Sequence, residues 1–182
     1  MAEKARGAHG AVLLVGMMGV GKSSVGRALA ARLGWRFIDA DREIERVAGR
    51  PIARIFEEEG EARFRALETE VLRGLPRQGV VVSLGGGALV REGNAAILEA
   101  KGEVVWLDAS IETLVARTTS GPDRPLLAGL DADARAARLR ALEAERRAAY
   151  ARAPWRVWTD ARSRDEVVDE IVEKLALRGA AG

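Results

Sequence analysis

The stretch GMMGVGKSS, residues 16–24, is the feature that most constrains how this chain folds. It follows the apolar run AVLLV (11–15) and precedes the helix-patterned VGRALAARLG (25–34). Gly16, Gly21, Lys22 and Ser23 match the spacing G-x-x-x-x-G-K-[ST], a turn that belongs between a buried strand and a helix. Its glycines let the backbone bend tightly, so that successive N–H groups point inward at a polyphosphate, helped by the positive end of the helix dipole. Lys22 reaches the β and γ phosphates, and the Ser23 hydroxyl ligates Mg²⁺.

The rest of the chain repeats this strand–helix rhythm. Apolar runs at 11–15, 36–38, 80–84, 103–107 and 156–159 predict strands, and the unbroken apolar character of three of them predicts burial on both faces. Amphipathic stretches at 23–33, 42–48, 61–75, 91–100, 111–118, 133–152 and 164–177 predict helices. Alternation of this kind predicts an α/β fold, with a parallel sheet of about five strands covered by helices on both faces. One domain over residues 11–182 is expected, preceded by a disordered extension of residues 1–10. The Gly-, Pro- and Asp-rich TTSGPDRPLLAGLDAD (118–133) predicts a mobile excursion within that domain.

Composition narrows the function classes. The chain is 48% hydrophobic and 31% charged with a net charge of +2, an ordinary globular balance that gives nucleic-acid binding no support. Cysteine is absent, which excludes disulfides and thiolate metal sites. No apolar run approaches a membrane span, and the N-terminus has no signal-peptide core, so a cytoplasmic protein without membrane contact is expected. Asn94, followed by Ala95, is the one asparagine, so the Asn-Lys-x-Asp signature of guanine recognition is missing. ATP with a small acceptor is the better class, and the acceptor belongs near the carboxyl ends of the strands.

Three segments fall there or nearby. FIDADREIE (37–45) places Asp39 and Asp41 at the end of the second strand. Two residues apart in an extended segment, their carboxylates face opposite ways, one toward a metal and the other toward a substrate. The alternative is that Asp41 caps the following helix and Asp39 is a loop residue. SLGGGAL (83–89) ends the third strand, and its run of glycines suits a backbone that a ligand approaches closely. Arg124, in GPDRPLL, stands on the excursion, where a cation closes over a transferring phosphoryl group and excludes water. Arg65 lies on a helix that can face the acceptor, whereas Arg146 reads by pattern alone as part of a solvated face.

Taken together, GMMGVGKSSVGRALA, FIDADREIE, IFEEEGEARFRALE, SLGGGAL, RPLL and the R-x-x-x-Y ending at Tyr150 resemble, in order and spacing, the bacterial shikimate kinases. The resemblance runs from Ala11 to about Leu177. It implies a nucleoside monophosphate kinase-like P-loop fold and transfer of the γ-phosphoryl of MgATP to the 3-hydroxyl of shikimate. By that likeness Gly19, Val20, Gly21, Lys22, Ser23 and Ser24 hold ATP. Ser23 and Asp39 serve Mg²⁺, while Asp41 holds the shikimate hydroxyls and is the base candidate. Arg65 and Arg146 resemble the pair that grips the shikimate carboxylate, so the pattern reading of Arg146 gives way. The backbone of Gly86 and Gly87 resembles the wall that meets the ring hydroxyls, within a substrate region of about 39–66 and a lid of about 118–133. Arg124 resembles the lid arginine, Arg117 one that packs along adenine, and Arg162 or Arg164 the far side of that pocket. Lys22, Asp41 and Arg124 form the expected catalytic set. A monomer is expected. Ser24 and Ala148 depart from the common Thr and Pro of the family without touching a proposed contact. An aminoshikimate kinase, or a silent nucleotide-binding protein that keeps the loop, are the competing readings.

Overall fold

The computed structural model describes residues 10–119, 125–127 and 129–179. At its centre lies β1 (Ala11–Val15), buried at every position. It pairs in parallel with β3 (Val80–Ser83) on one side and β4 (Gly102–Asp108) on the other. Beyond them stand β2 (Arg36–Asp39) and β5 (Trp155–Trp158), which gives the all-parallel order β2-β3-β1-β4-β5. Parallel neighbours need long crossovers, and helices supply them. These are α1 (Lys22–Leu33), α2 (Ala40–Ala48), α3 (Ile52–Gly74), α4 (Asn94–Glu99), α5 (Ile111–Thr119) and α6 (Ala132–Tyr150), and α7 (Arg164–Gly179) follows β5. The strands with unbroken apolar runs, β1, β3 and most of β4, are the buried ones, while the edge strands β2 and β5 keep partial exposure. No helix of the described residues is long and apolar enough to cross a membrane.

Two clusters hold the molecule together. The larger one packs the strands against the flanking helices and includes Leu13, Leu14, Leu29, Leu107, Leu139 and Ile171. A smaller one, Ile44, Ile55, Phe64, Leu67 and Val71, joins α2 to α3. That second cluster matters for function, because it fixes the two helices that carry Asp41 and Arg65 as one unit.

Local differences from the sequence expectation have physical causes. α2 starts at Ala40 because Asp39 caps it, accepting a hydrogen bond from Arg42 N at 3.4 Å. Helix also begins at Ile52, well before the expected 61, with Pro51 at its N-cap. Gly60, at φ 78° and ψ 174°, interrupts it and breaks the periodicity that would reveal it. In the 118–133 region α5 runs to Thr119, Pro125–Leu127 form a 3₁₀ turn, and Asp131 caps α6. Arg124 lies outside the described residues, as does the expected extension up to residue 9.

The tightest approach in the sheet is between β1 and β4. A Cβ on Gly102 would stand 1.8 Å from the Ala11 carbonyl oxygen, so no side chain fits without displacing backbone. Gly102→Ala is expected to cost about 3 kcal/mol in urea unfolding, the upper end of an overpacking penalty. A denaturation midpoint equal to that of the unaltered protein would contradict this approach.

Candidate active site

The loop between β1 and α1 holds three positive-φ glycines, Gly16, Gly19 and Gly21. α1 opens directly after Gly21 with no side-chain cap, and a helix N-terminus that follows a glycine loop suits an anionic ligand. Lys22 Nζ bridges the loop, donating to the carbonyls of Gly16 at 2.9 Å and Met17 at 3.1 Å. Val20 is buried and anchors the loop's far side. Ser24 is exposed on α1.

Beside the loop, oxygen atoms from separate elements converge. Ser23 Oγ donates to Asp39 Oδ2 at 3.0 Å and lies 3.4 Å from Ser83 Oγ. Ser83 is paired in register with both Leu14 of β1 and Asp39 of β2, so the strand ends set this geometry. Two hydroxyls and one carboxylate are hard donors suited to Mg²⁺, which takes few protein ligands and completes its shell with phosphates and water. No group of three or more His, Cys, Asp or Glu side chains able to hold a metal occurs among the described residues.

Asp41 sits in the first turn of α2, and the extended geometry expected for the 39–41 pair is not what forms. Asp39 keeps the extended backbone of β2, and Asp41 lies one residue inside the helix. Asp39, not Asp41, is the cap. Asp41 keeps exposed surface, while its Oδ1 closes on the backbone of Gly85. Loss of surrounding water pushes its pKa up, the Asp39 charge adds to the rise, and Lys22 opposes it.

The glycine run beyond β3 faces the remaining candidates one by one. A Cβ on Gly85 would meet Asp41 Oδ1 at 2.8 Å, one on Gly86 would meet Arg146 Nη1 at 2.5 Å, and one on Gly87 would meet Arg65 Nη1 at 2.9 Å. Among the described residues the N–H groups of these glycines have no acceptor. Arg146 is therefore half-buried against the glycine wall, and the solvated-face reading of its pattern is overturned. Arg65 is aimed by two acids, donating to Glu61 Oε1 at 3.1 Å and to Glu68 Oε2 at 3.1 Å. Glu68 is only 2% exposed, and burial pushes its pKa up against the pull of Arg65. Sequence reasoning missed Glu68, although an acid three residues after Arg65 on the apolar face of Phe64, Leu67 and Val71 was the available signal. It also missed Asn94 as a brace. Fully buried, Asn94 donates to the Ala88 carbonyl at 3.0 Å and accepts from Thr69 Oγ1 at 2.9 Å, tying the glycine loop to α3.

On the other side of the phosphate loop Arg117 donates to Thr159 Oγ1 and Thr159 O, both at 2.9 Å, and to Val20 O at 3.4 Å. It thereby joins α5, the loop after β5 and the phosphate loop. Arg162 is held at the start of α7 by the carbonyls of Trp158 and Glu166 and by Glu170. Arg164 pairs with Asp165 on an exposed surface.

A family model described as shikimate kinase matches residues 18–176. A shikimate kinase of Symbiobacterium thermophilum is 49% identical over 175 residues, covering 94% of this chain and 99% of that one. The structure of the shikimate kinase from Acinetobacter baumannii in complex with shikimate matches at a TM-score of 0.86 with 34% identity, over 98% of each chain. That from Aquifex aeolicus matches at 0.76 with 34% identity, over 94% of this chain and 99% of that one.

The raised pKa of Asp41 means that folding favours its protonated form. Stability from this group is full below its unfolded pKa and is lost as pH rises through the folded value. Asp41→Asn is thus expected to raise the melting temperature at neutral pH, with the gain shrinking as pH falls toward the carboxylate range. A lower melting temperature at neutral pH would contradict the desolvated setting.

Proposed function

The chain belongs to the shikimate kinase family of ATP-dependent kinases, and on that basis we propose that it moves the γ-phosphoryl of MgATP to the 3-hydroxyl of shikimate. The observation that carries this reading is the pairing of Gly85, Gly86 and Gly87 with Asp41, Arg146 and Arg65. One carboxylate, two guanidiniums and a row of N–H donors around a side-chain-free wall complement a small ring that bears one carboxylate and several hydroxyls. Planar guanidinium gives paired hydrogen bonds to carboxylate, which lysine cannot do.

In this reading Arg65 and Arg146 take the acceptor's carboxylate, and Asp41 with the Gly86 and Gly87 amides holds its hydroxyls. The 3-hydroxyl oxygen forms a bond to the γ-phosphorus as the bond to the ADP oxygen breaks, and Asp41 receives the hydroxyl proton. Lys22 and Arg124 offset charge on the phosphoryl oxygens, with Arg117 and Arg162 bordering the adenine. Mg²⁺, when bound near Ser23 and Asp39, supplies further neutralisation of the phosphates. With the family resemblance goes the expectation of a cytoplasmic monomer.

The decisive assay is ADP release from MgATP with shikimate, aminoshikimate, gluconate, AMP or no acceptor. Strong release is expected with shikimate; release with aminoshikimate alone, or with no acceptor at all, would overturn the assignment. Lys22→Ala is expected to lower kcat by about 10²–10³-fold, as for loss of one donor to a developing charge. Asp41→Asn is expected to lose most turnover while equilibrium ATP binding persists. Near-normal kcat in either variant would remove that residue from the mechanism.

A further inference from the structure

Tyr150 ends α6 with its ring buried, 1% exposed and 5.9 Å from the Trp106 ring. A buried phenol needs a partner for its hydroxyl, and here that partner lies in the acceptor site. Tyr150 Oη donates to the Gly86 carbonyl at 2.6 Å, and the Arg146 charge acts on the same phenol. A Cβ on Gly86 would come within 3.4 Å of that hydroxyl and 2.5 Å of Arg146 Nη1, so phenol, guanidinium and glycine backbone are packed in mutual contact.

We propose that Tyr150 is a positioning residue of the acceptor site, locking the Gly86–Gly87 peptide with its hydrogen bond and backing Arg146 where both pack on Gly86. The inference rests on the acceptor reading above and extends it to a residue that touches no substrate. In a planar trans peptide the carbonyl of Gly86 and the N–H of Gly87 point in opposite directions. Holding the carbonyl on the phenol therefore aims the Gly87 N–H away from Tyr150. Glycine is the residue least able to hold such an orientation unaided. Arg146 packs on the same glycine, so the two halves of the acceptor site, donors for ring hydroxyls and a cation for the carboxylate, meet at the peptide that Tyr150 holds. Burial raises the phenol pKa more than Arg146 lowers it, so the hydroxyl keeps the proton that it donates.

The alternative is that Tyr150 merely joins α6 to the sheet, and Tyr150→Phe separates the two. The variant keeps the ring and its packing on Trp106 but leaves the Gly86 carbonyl without its partner. Expected is a rise of about 10-fold in KM for shikimate, the equivalent of one hydrogen bond to a charged group, with KM for ATP within about 2-fold of the unaltered protein. Equal rises in both KM values, or no rise in either, would overturn the proposal. A second measurement does not depend on the substrate. In ¹⁵N relaxation of the unliganded protein, the Gly86 and Gly87 amides are expected to gain mobility in the variant while Gly19 and Gly21 do not. Unchanged Gly86 and Gly87 amides would likewise overturn it. If the unaltered protein fails to phosphorylate shikimate, the acceptor reading falls, and the amide measurement still decides whether Tyr150 positions this peptide.

Discussion

The site depends on one register: β1 placed between β3 and β4, with β2 beyond β3 and every strand ending on the same edge. In a parallel sheet, residues far apart in sequence converge at the carboxyl edge, where crevices for ligands form. Ser83 opposite Leu14 and Asp39 is the local expression of this rule, and it brings Ser83 and Asp39 to the Ser23 hydroxyl. A slip of one residue in β3 would turn Ser83 to the other face and place an apolar side chain beside the phosphate loop. The buried apolar runs of β1 and β3 resist that slip, so the core that stabilises the fold also sets the position of the oxygen donors.

A second constraint acts just beyond β3. Where most chains would place side chains, this one has Gly85 to Gly87, and the space is taken by Asp41, Arg146 and Arg65 reaching in from other elements. The wall is thus built of backbone while its chemistry is imported from α2, α3 and α6. Such an arrangement needs external bracing, because three consecutive glycines have little conformational preference of their own. Asn94 holds the Ala88 carbonyl and Tyr150 the Gly86 carbonyl, one brace on each side.

Much of this was legible in the sequence, for identifiable reasons. The loop at Gly16–Ser23 carries its own spacing, and the apolar runs of β1, β3 and β4 announce burial, so the sheet and the phosphate site follow from local pattern. Asp39 and Asp41 were placed at the right strand end, but their division between strand, cap and helix turn depends on where α2 starts, which propensity does not fix to a residue. Arg146 was invisible to pattern because its helix is charged on most sides, and only the approach of Gly86, sixty residues earlier in the chain, shows that it turns inward. Glu68 and Asn94 escaped for the same reason. A buried polar residue is defined by its partners, and those partners are distant in sequence.

Charge balance around Arg65 connects stability to specificity. Its two acidic partners are unlike: Glu61 has a side chain 67% exposed, whereas that of Glu68 is 3% exposed. An exposed pair contributes little and is readily exchanged, while breaking a buried one strands a charge away from water. On the proposed assignment, an incoming carboxylate replaces Glu61 on the guanidinium and leaves Glu68 in place to hold its orientation. The exchange swaps one anion for another, so the site keeps its charge balance with an acidic ring bound. A neutral ring of the same shape would have to compete with Glu61 without bringing a charge of its own. Selection for an acidic acceptor then follows from the free protein's ion pairs as much as from contacts made in the complex.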